Sequence, residues 1–361
     1  MAENGNKVVT LKDVAAHAGV SVATASAAIK GRPSGNCRMS KDVASKILQS
    51  AKLLRYRPNL YARRLSLGQS RTVALVVKYS VWHNLIWPIT SAQKVLRQKH
   101  YDEIFLMHYD SLDQEARHLE MCLEARVDGI LIFPLVDING QTNARKINEI
   151  MEIEKVPIVQ IGVALPGCEA PFVIADEVQG AFDAVKKLAE MGHRRIAHLT
   201  LVRFDQPQAT NPFLHAHRRY SGYCKAMSEF GLTPFVRAVD GTRPPDVAFN
   251  QMVQLAREVA SGDDAPTAML VYSDSLAAAA MLGIQKAGLR VPQDISVIGV
   301  DRSPLTDSVR PILSMVALPH EQLGAAGIQM LLGMIQGEGA QSIQLPSCLE
   351  PGETLAPARR D

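Results

Sequence analysis

Apolar positions between residues 11 and 31 recur at helical spacing. In LKDVAAHAGVSVATASAAIKG, Leu11, Val14, Ala15 and Ala18 share one face, Thr10 stands at an N-cap position, and Gly19 can take the positive φ that ends a helix. Ser21 then caps a second short helix whose first turns offer Val22, Ala23, Thr24 and Ser26. Two short helices joined by a tight turn make a helix-turn-helix, whose second helix is built to enter a major groove; a helical pair from any small bundle shows the same local pattern. The loop GRPSGNCRM leads to Ser40, the expected cap of a third helix over about 41–54 with Val43, Ile47 and Leu48 inward. Tyr56-Arg57-Pro58 breaks it. Asn59 can cap LYARRLS, which is too short to be a stable isolated helix and reads as a linker that orders conditionally.

From Arg71 the pattern changes to apolar strands alternating with helical stretches. Strands are expected at 72–77, 103–108, 129–135 and 156–162, with helices around 90–99, 113–126 and 143–154 between them. A second set follows at 172–176, 195–201, 267–273 and 295–300, with helices near 178–191, 216–230, 246–261 and 275–287. The alternation predicts an α/β fold of parallel sheets in two similar lobes, behind an all-α helix-turn-helix module. The expected divisions are a module at 1–58, a hinge helix and linker at 59–70, and a core at 71–361. Within the core, lobe 1 spans about 71–171 and 319–338, and lobe 2 about 172–318 and 339–361. Ligands of such sheets sit beyond the carboxyl ends of the strands, so a cleft between the lobes would collect Trp82, Asp176, Asp274 and Asp301.

Charge sharpens this division. Residues 1–70 hold twelve Lys and Arg against three Asp and Glu, a net of +9, whereas the remainder holds 27 against 33, a net of −6. A basic small module joined to a mildly acidic core points to a polyanion partner for the module alone. The five cysteines have neither C-x-x-C pairing nor metal-like spacing, so reduced thiols are expected and neither a metal nor a cofactor is implied. MAENGNKVVT lacks an apolar export core, and no apolar run approaches the ~20 residues of a membrane helix, so a cytoplasmic protein with no membrane partner is expected.

The pieces LKDVAAHAGVSVATAS, YRPNLYARRL, RVDGILI, MGHRRIAHL and GLRVPQDISVIGVD occur here in order, and together they resemble transcriptional regulators of the LacI/GalR family. The resemblance implies a homodimeric repressor that binds a pseudo-palindromic operator in double-stranded DNA under allosteric control by a small polar effector such as a sugar. By that resemblance Val22 and Ala23 face base edges. Both are small and apolar, suited to a thymine methyl but not to bidentate hydrogen bonds. Ala27 stands where the family usually has Arg. Ser21, Thr24, Ser26, Tyr56 and Asn59 are candidates at the DNA backbone; local packing and capping are the other reading of Thr24 and Ser26. LYARRLS resembles the family's hinge helix, with Leu65 at the wedging leucine and Arg63 and Arg64 beside it; the other reading packs Leu65 on the core. The insert SGNCRM is longer than the usual family loop, and Arg38 in it either reaches a phosphate or stays in solvent.

Arg219 and Asp301 match effector-contacting residues of the family, and Asp274 takes the second place of its usual Asn-Asp pair. An Arg–Asp pair stabilising an empty cleft is the competing reading. Where the family commonly reads S-N-P-F-F, this chain has Val81-Trp82-His83-Asn84-Leu85, and Ser273 and Arg302 replace a usual Asn and Asp. Trp82 and His83 are therefore candidate ligand contacts, with Trp82 either stacking on a ring or lining the lobe interface. Enzymatic function is not expected, because no G-x-G-x-x-G follows a strand and neither a P-loop nor G-x-S-x-G occurs. Two alternatives share the fold: a regulator with a vestigial cleft, and a solute-binding protein, which would need an export signal and no basic helix-turn-helix.

Overall fold

Capping fixes the first three helices. The computed structural model describes residues 9–30, 40–56, 70–79, 86–109, 111–137, 139–202, 205, 214–303 and 306–359. Helices α1 (Leu11–Ala18), α2 (Val22–Lys30) and α3 (Lys41–Leu53) form a unit that clusters apart from residues 71–361. The backbone N–H and hydroxyl of Thr10 both donate to the Asp13 carboxylate at 2.7 Å, and Gly19 closes α1 at φ 70°. The Ser21 hydroxyl accepts from the Thr24 N–H at 3.1 Å, and that of Ser40 from the Val43 N–H at 3.3 Å. Val14, Ala15, Ala18, Ala25, Ala28 and Ile47 make the small core.

Leu48 does not join that core; it is 52% exposed. Positions 43, 47, 50 and 54 share a stripe, and the ~100° step from Ile47 turns Leu48 outward. Ser50 is buried in its place, its hydroxyl donating to the Lys46 carbonyl at 2.9 Å and lying 3.0 Å from His17 Nδ1.

Two six-stranded sheets build the core. The first contains β1 (Thr72–Lys78), β2 (Asp102–His108), β3 (Gly129–Ile132), β4 (Ile158–Ile161), β5 (Phe172–Asp176) and β11 (Ile343–Pro346), in the spatial order β11-β5-β4-β3-β1-β2 and all parallel. The second contains β6 (Ile196–Leu201), β7 (Phe235–Val239), β8 (Ala268–Val271), β9 (Ser296–Val300), β10 (Ser314–Ala317) and β12 (Cys348–Glu350). Its order is β12-β10-β9-β8-β6-β7, parallel except for antiparallel β12. Strands β1 and β3 are buried, largely apolar runs, as expected when both faces of a parallel sheet are covered.

Helices α4 (Ile86–Gln98), α5 (Leu112–Glu124) and α6 (Ala144–Glu149, continued by a π-helical turn at Ile150–Glu154) belong to the first lobe. Helices α7 (Glu177–Glu190), α8 (Leu214–Glu229), α9 (Pro245–Ser261) and α10 (Asp274–Lys286) belong to the second. Helix α11 (His320–Ile335) returns to the first lobe, where Leu323, Ile328 and Leu331 pack with Leu75, Leu131 and Ile161.

The lobe boundaries differ from the expected ones. FVIAD, expected to open the second set, is β5 of the first sheet, since Gln160 and Ile161 pair with Phe172 and Val173. Residues 343–346, expected in lobe 2, form β11 on the outer side of β5, with Ile343 opposite Val173. The chain therefore crosses between sheets three times: after Asp176, between Ala317 and His320, and between Pro346 and Cys348.

Candidate DNA-reading face and ligand site

On the helical unit, Val22 is 42% exposed and Ala23 is exposed beside it on the first turn of α2. At Val22 and Ala23 this turn offers methyl groups and no hydrogen-bond donor. Thr24 is half-buried, its hydroxyl 2.8 Å from that of Ser21, so these two hydroxyls are already joined in the helix cap. Ser26 and Tyr56 are half-buried, the latter packed on the small core, and Ala27 is buried. Lys12, Lys41, Lys46, Lys52 and Arg55 are exposed. Asn59, Arg63, Leu65 and the insert at 35–39 lie outside the described residues, as do Trp82 and His83.

The second group of candidates meets at the crossovers of the core. Strand β5 ends at Asp176, and the chain turns directly into α7 with Glu177 as its first residue. Asp176 does not point its carboxylate at the other candidates: Oδ1 accepts from the Gln179 N–H at 2.9 Å and caps α7. Glu177 is the residue that reaches Arg219, which α8 places opposite. The Arg219 Nη2 donates to Glu177 Oε1 at 2.6 Å and its Nε to the same oxygen at 3.2 Å, with both side chains buried. The other oxygen, Oε2, lies 2.9 Å from His215 Nδ1, one turn before Arg219 on α8.

Asp301 follows β9 at φ 85°, a left-handed conformation unusual outside glycine. Its backbone N–H donates to the Val316 carbonyl at 3.0 Å, which helps hold this conformation. Its Oδ2 lies 3.5 Å from Arg219 Nη2, and its Oδ1 accepts from His320 Nε2 at 2.8 Å. Because His320 opens α11, Arg219 and its two carboxylates link the first crossover to the second. Arg219 Nη1 also donates to the Tyr272 carbonyl, and its guanidinium carbon sits 4.6 Å from the centroid of the Tyr272 ring. Asp274 is buried and spans a turn, its Oδ1 accepting from the Ser275 N–H at 2.6 Å and its Oδ2 from the Ser303 N–H at 2.9 Å.

The electrostatics follow from this pairing. Burial alone would raise the Glu177 carboxyl, but His215 and Arg219, with Arg218 beyond them, hold it far below the usual carboxylate range. Burial opposes the charge on Arg219 too, yet Glu177 and Asp301 raise its pKa further. Asp301 is likewise held down against burial by His320 and Arg219, whereas burial outweighs the Ser303 hydrogen bond at Asp274 and raises its carboxyl. Burial pushes the Tyr272 hydroxyl up to about 12. Arg219 and Asp301 thus stand together, Asp274 acts on Asp301 through space, and Asp176 serves the helix. Glu177, His215, Tyr272 and His320 were not among the sequence candidates. The four-residue spacing of His215 and Arg219 on one helix was the legible sign for the first pair. Among the described residues, no group of three or more His, Cys, Asp or Glu is arranged to hold a metal ion, and no helix is long and apolar enough to cross a membrane.

Known proteins share this architecture. Residues 10–59 match the family described as bacterial regulatory proteins, lacI family, and residues 185–355 match a periplasmic binding protein-like domain. Catabolite control protein A of Priestia megaterium is 30% identical over 353 residues, covering 95% of this chain and 98% of that protein. The HTH-type transcriptional repressor PurR of Edwardsiella ictaluri is 28% identical over 340 residues, covering 93% and 94%. Among solved structures, the lac repressor dimer bound to operator and the anti-inducer ONPF superposes with a TM-score of 0.80 at 26% identity, over 96% of this chain and 99% of that one. The complex of the regulator CelR with cellobiose gives 0.64 at 25% identity, over 96% and 99%.

Proposed function

This chain belongs to the lacI family of bacterial regulatory proteins, and from that premise we propose that it binds a pseudo-palindromic operator as a homodimer and answers to a small polar effector held between its lobes. It is a DNA-binding transcriptional regulator, with repression as the expected sense. One observation carries the DNA half: the exposed first turn of α2 belongs to a segment of net charge +9. Val22 and Ala23 would meet thymine methyls, while Ser21, Thr24, Ser26, Tyr56 and Asn59 with the exposed lysines would set register on phosphates. Arg63 and Leu65 would serve the minor groove at the operator centre. In this reading the chain has no catalytic role and works in the cytoplasm.

The effector half rests on Arg219, Asp301 and Asp274 converging where the lobes are joined, with Trp82 and His83 as further expected contacts. A ligand that favours one lobe arrangement would shift operator affinity by its difference in affinity for the two arrangements. The test is a gel shift with DNA from upstream of the chain's own gene. If ~6–10 phosphates are neutralised per dimer, affinity falls ~10³–10⁵-fold between 50 and 200 mM salt. Binding that ignores salt, or tight binding of a monomer to one half-site, refutes the reading.

A further inference from the structure

We propose that Glu177 fixes the charge class of the effector: by occupying Arg219 it makes the site accept uncharged or amine-bearing ligands that donate hydrogen bonds, and reject carboxylates and phosphates. This deepens the ligand-responsive reading above and rests on it. An arginine facing a ligand site is ordinarily the group that clamps an anion, with a planar fork of five N–H donors. Here four of the five are engaged within the protein. Nε and Nη2 both donate to Glu177 Oε1, at 3.2 and 2.6 Å, Nη2 also reaches Asp301 Oδ2 at 3.5 Å, and Nη1 donates to the Tyr272 carbonyl. The Arg219 side chain is 3% exposed, so an incoming anion meets almost none of it.

Two carboxylates share this one guanidinium, and Asp274 adds a third acid close enough to Asp301 to act on it. Arg218 also acts on Glu177 through space, and His215 and His320 face the far oxygens of Glu177 and Asp301, so the three acids are matched within the cluster and outnumber its two guanidinium groups. An anion could engage Arg219 only by displacing Glu177, which would strand a buried carboxylate with His215 as its remaining partner. Of the groups that stay partly open, the Asp301 carboxylate has the opposite chemistry, while the more exposed His215 is engaged with Glu177 through Nδ1. Asp301 is 14% exposed and His215 is 36% exposed. The weakly held Oδ2 of Asp301 can accept from a ligand hydroxyl or ammonium group.

The probes are inorganic phosphate and acetate, titrated into the full chain at fixed ionic strength. In wild type, the Arg219 Nε–H resonance in a nitrogen-15 spectrum is expected to stay in place as either anion is added. In Glu177→Gln, calorimetry is expected to show a phosphate site at least about tenfold tighter than any in wild type. Glu177→Asp, which keeps the charge, should gain none. Anions held by the basic helical unit are common to all three proteins and cancel in the comparison. A wild-type Arg219 resonance that shifts with phosphate overturns the proposal even if Glu177→Gln fails to fold. So does a folded Glu177→Gln protein that gains no anion site. Operator binding measured on the same preparations reports separately on the regulator itself.

Discussion

His198 sits in the middle of β6, fully buried, with Nδ1 3.0 Å from the Leu270 carbonyl and its ring stacked on Tyr223 at 5.2 Å. Its Nε2 has no partner, so protonating this ring would place an unpaired charge inside the second lobe. Burial therefore lowers its pKa to about 4, against 6.5 for the free side chain. The folded value is the lower one, so protons bind the unfolded chain preferentially. This term leaves stability untouched above about pH 6.5 and removes it as pH falls toward 4. At ~1.4 kcal/mol per unit the full loss is about 3 kcal/mol, of which about 2 has gone by pH 5. His198→Asn places an amide where Nδ1 was, keeping a donor for Leu270 while abolishing the titration. The lost ring packing should cost ~1–2 kcal/mol at pH 7. Urea midpoints of both proteins from pH 7.5 to 4.5 should then converge and cross between about pH 6 and 5, every other titrating group being common to the two. A gap that stays constant over that range would show that His198 is not held neutral by burial, and the argument would fail.

Breaking one side of the Arg219–Glu177 pair should cost about 3–5 kcal/mol in Arg219→Met or Glu177→Gln alone, while the double variant should recover most of it. Chemical denaturation of the four proteins gives this cycle, and additive losses would refute the coupling. Gly324→Ala should destabilise the first lobe by about 1–3 kcal/mol, because a Cβ there overlaps the Pro88 carbonyl oxygen of α4. A melting temperature equal to wild type would refute that close approach. Leu65→Ala should weaken specific operator binding by a few kcal/mol at most while sparing non-specific DNA, read by gel shift on both. Equal loss on the two would point to misfolding instead.

The helical unit was legible because its signals are local: Thr10, Ser21 and Ser40 announce caps within three residues of their partners. Leu48 was misplaced because helical period alone does not say which of two adjacent apolar residues a sparse core will take. In the core, buried runs such as TVALVVK declared themselves, whereas IQLP and CLE, half-exposed edge strands, carry no such signal. FVIAD was a plain strand whose sheet was not readable, since an apolar run does not say whether it pairs back on β4 or opens the next sheet. The site shows the same limit. Arg219 and Asp301 could be named singly, but Glu177 and His320 gain meaning only when two crossovers meet. Asp176, one residue away, was the more obvious acid and is the cap.

The three crossovers also bear on how the chain is made. Each sheet takes an outer strand from residues 343–350, so neither can be completed until almost all of the chain described here has left the ribosome. Until then β5 and β10 are emerged strands with open edges, the kind of surface that pairs with a neighbouring nascent chain. The helical unit, with local contacts and its own small core, is free to form early. A nascent or prematurely terminated product would thus carry a formed helical unit on an unfinished core.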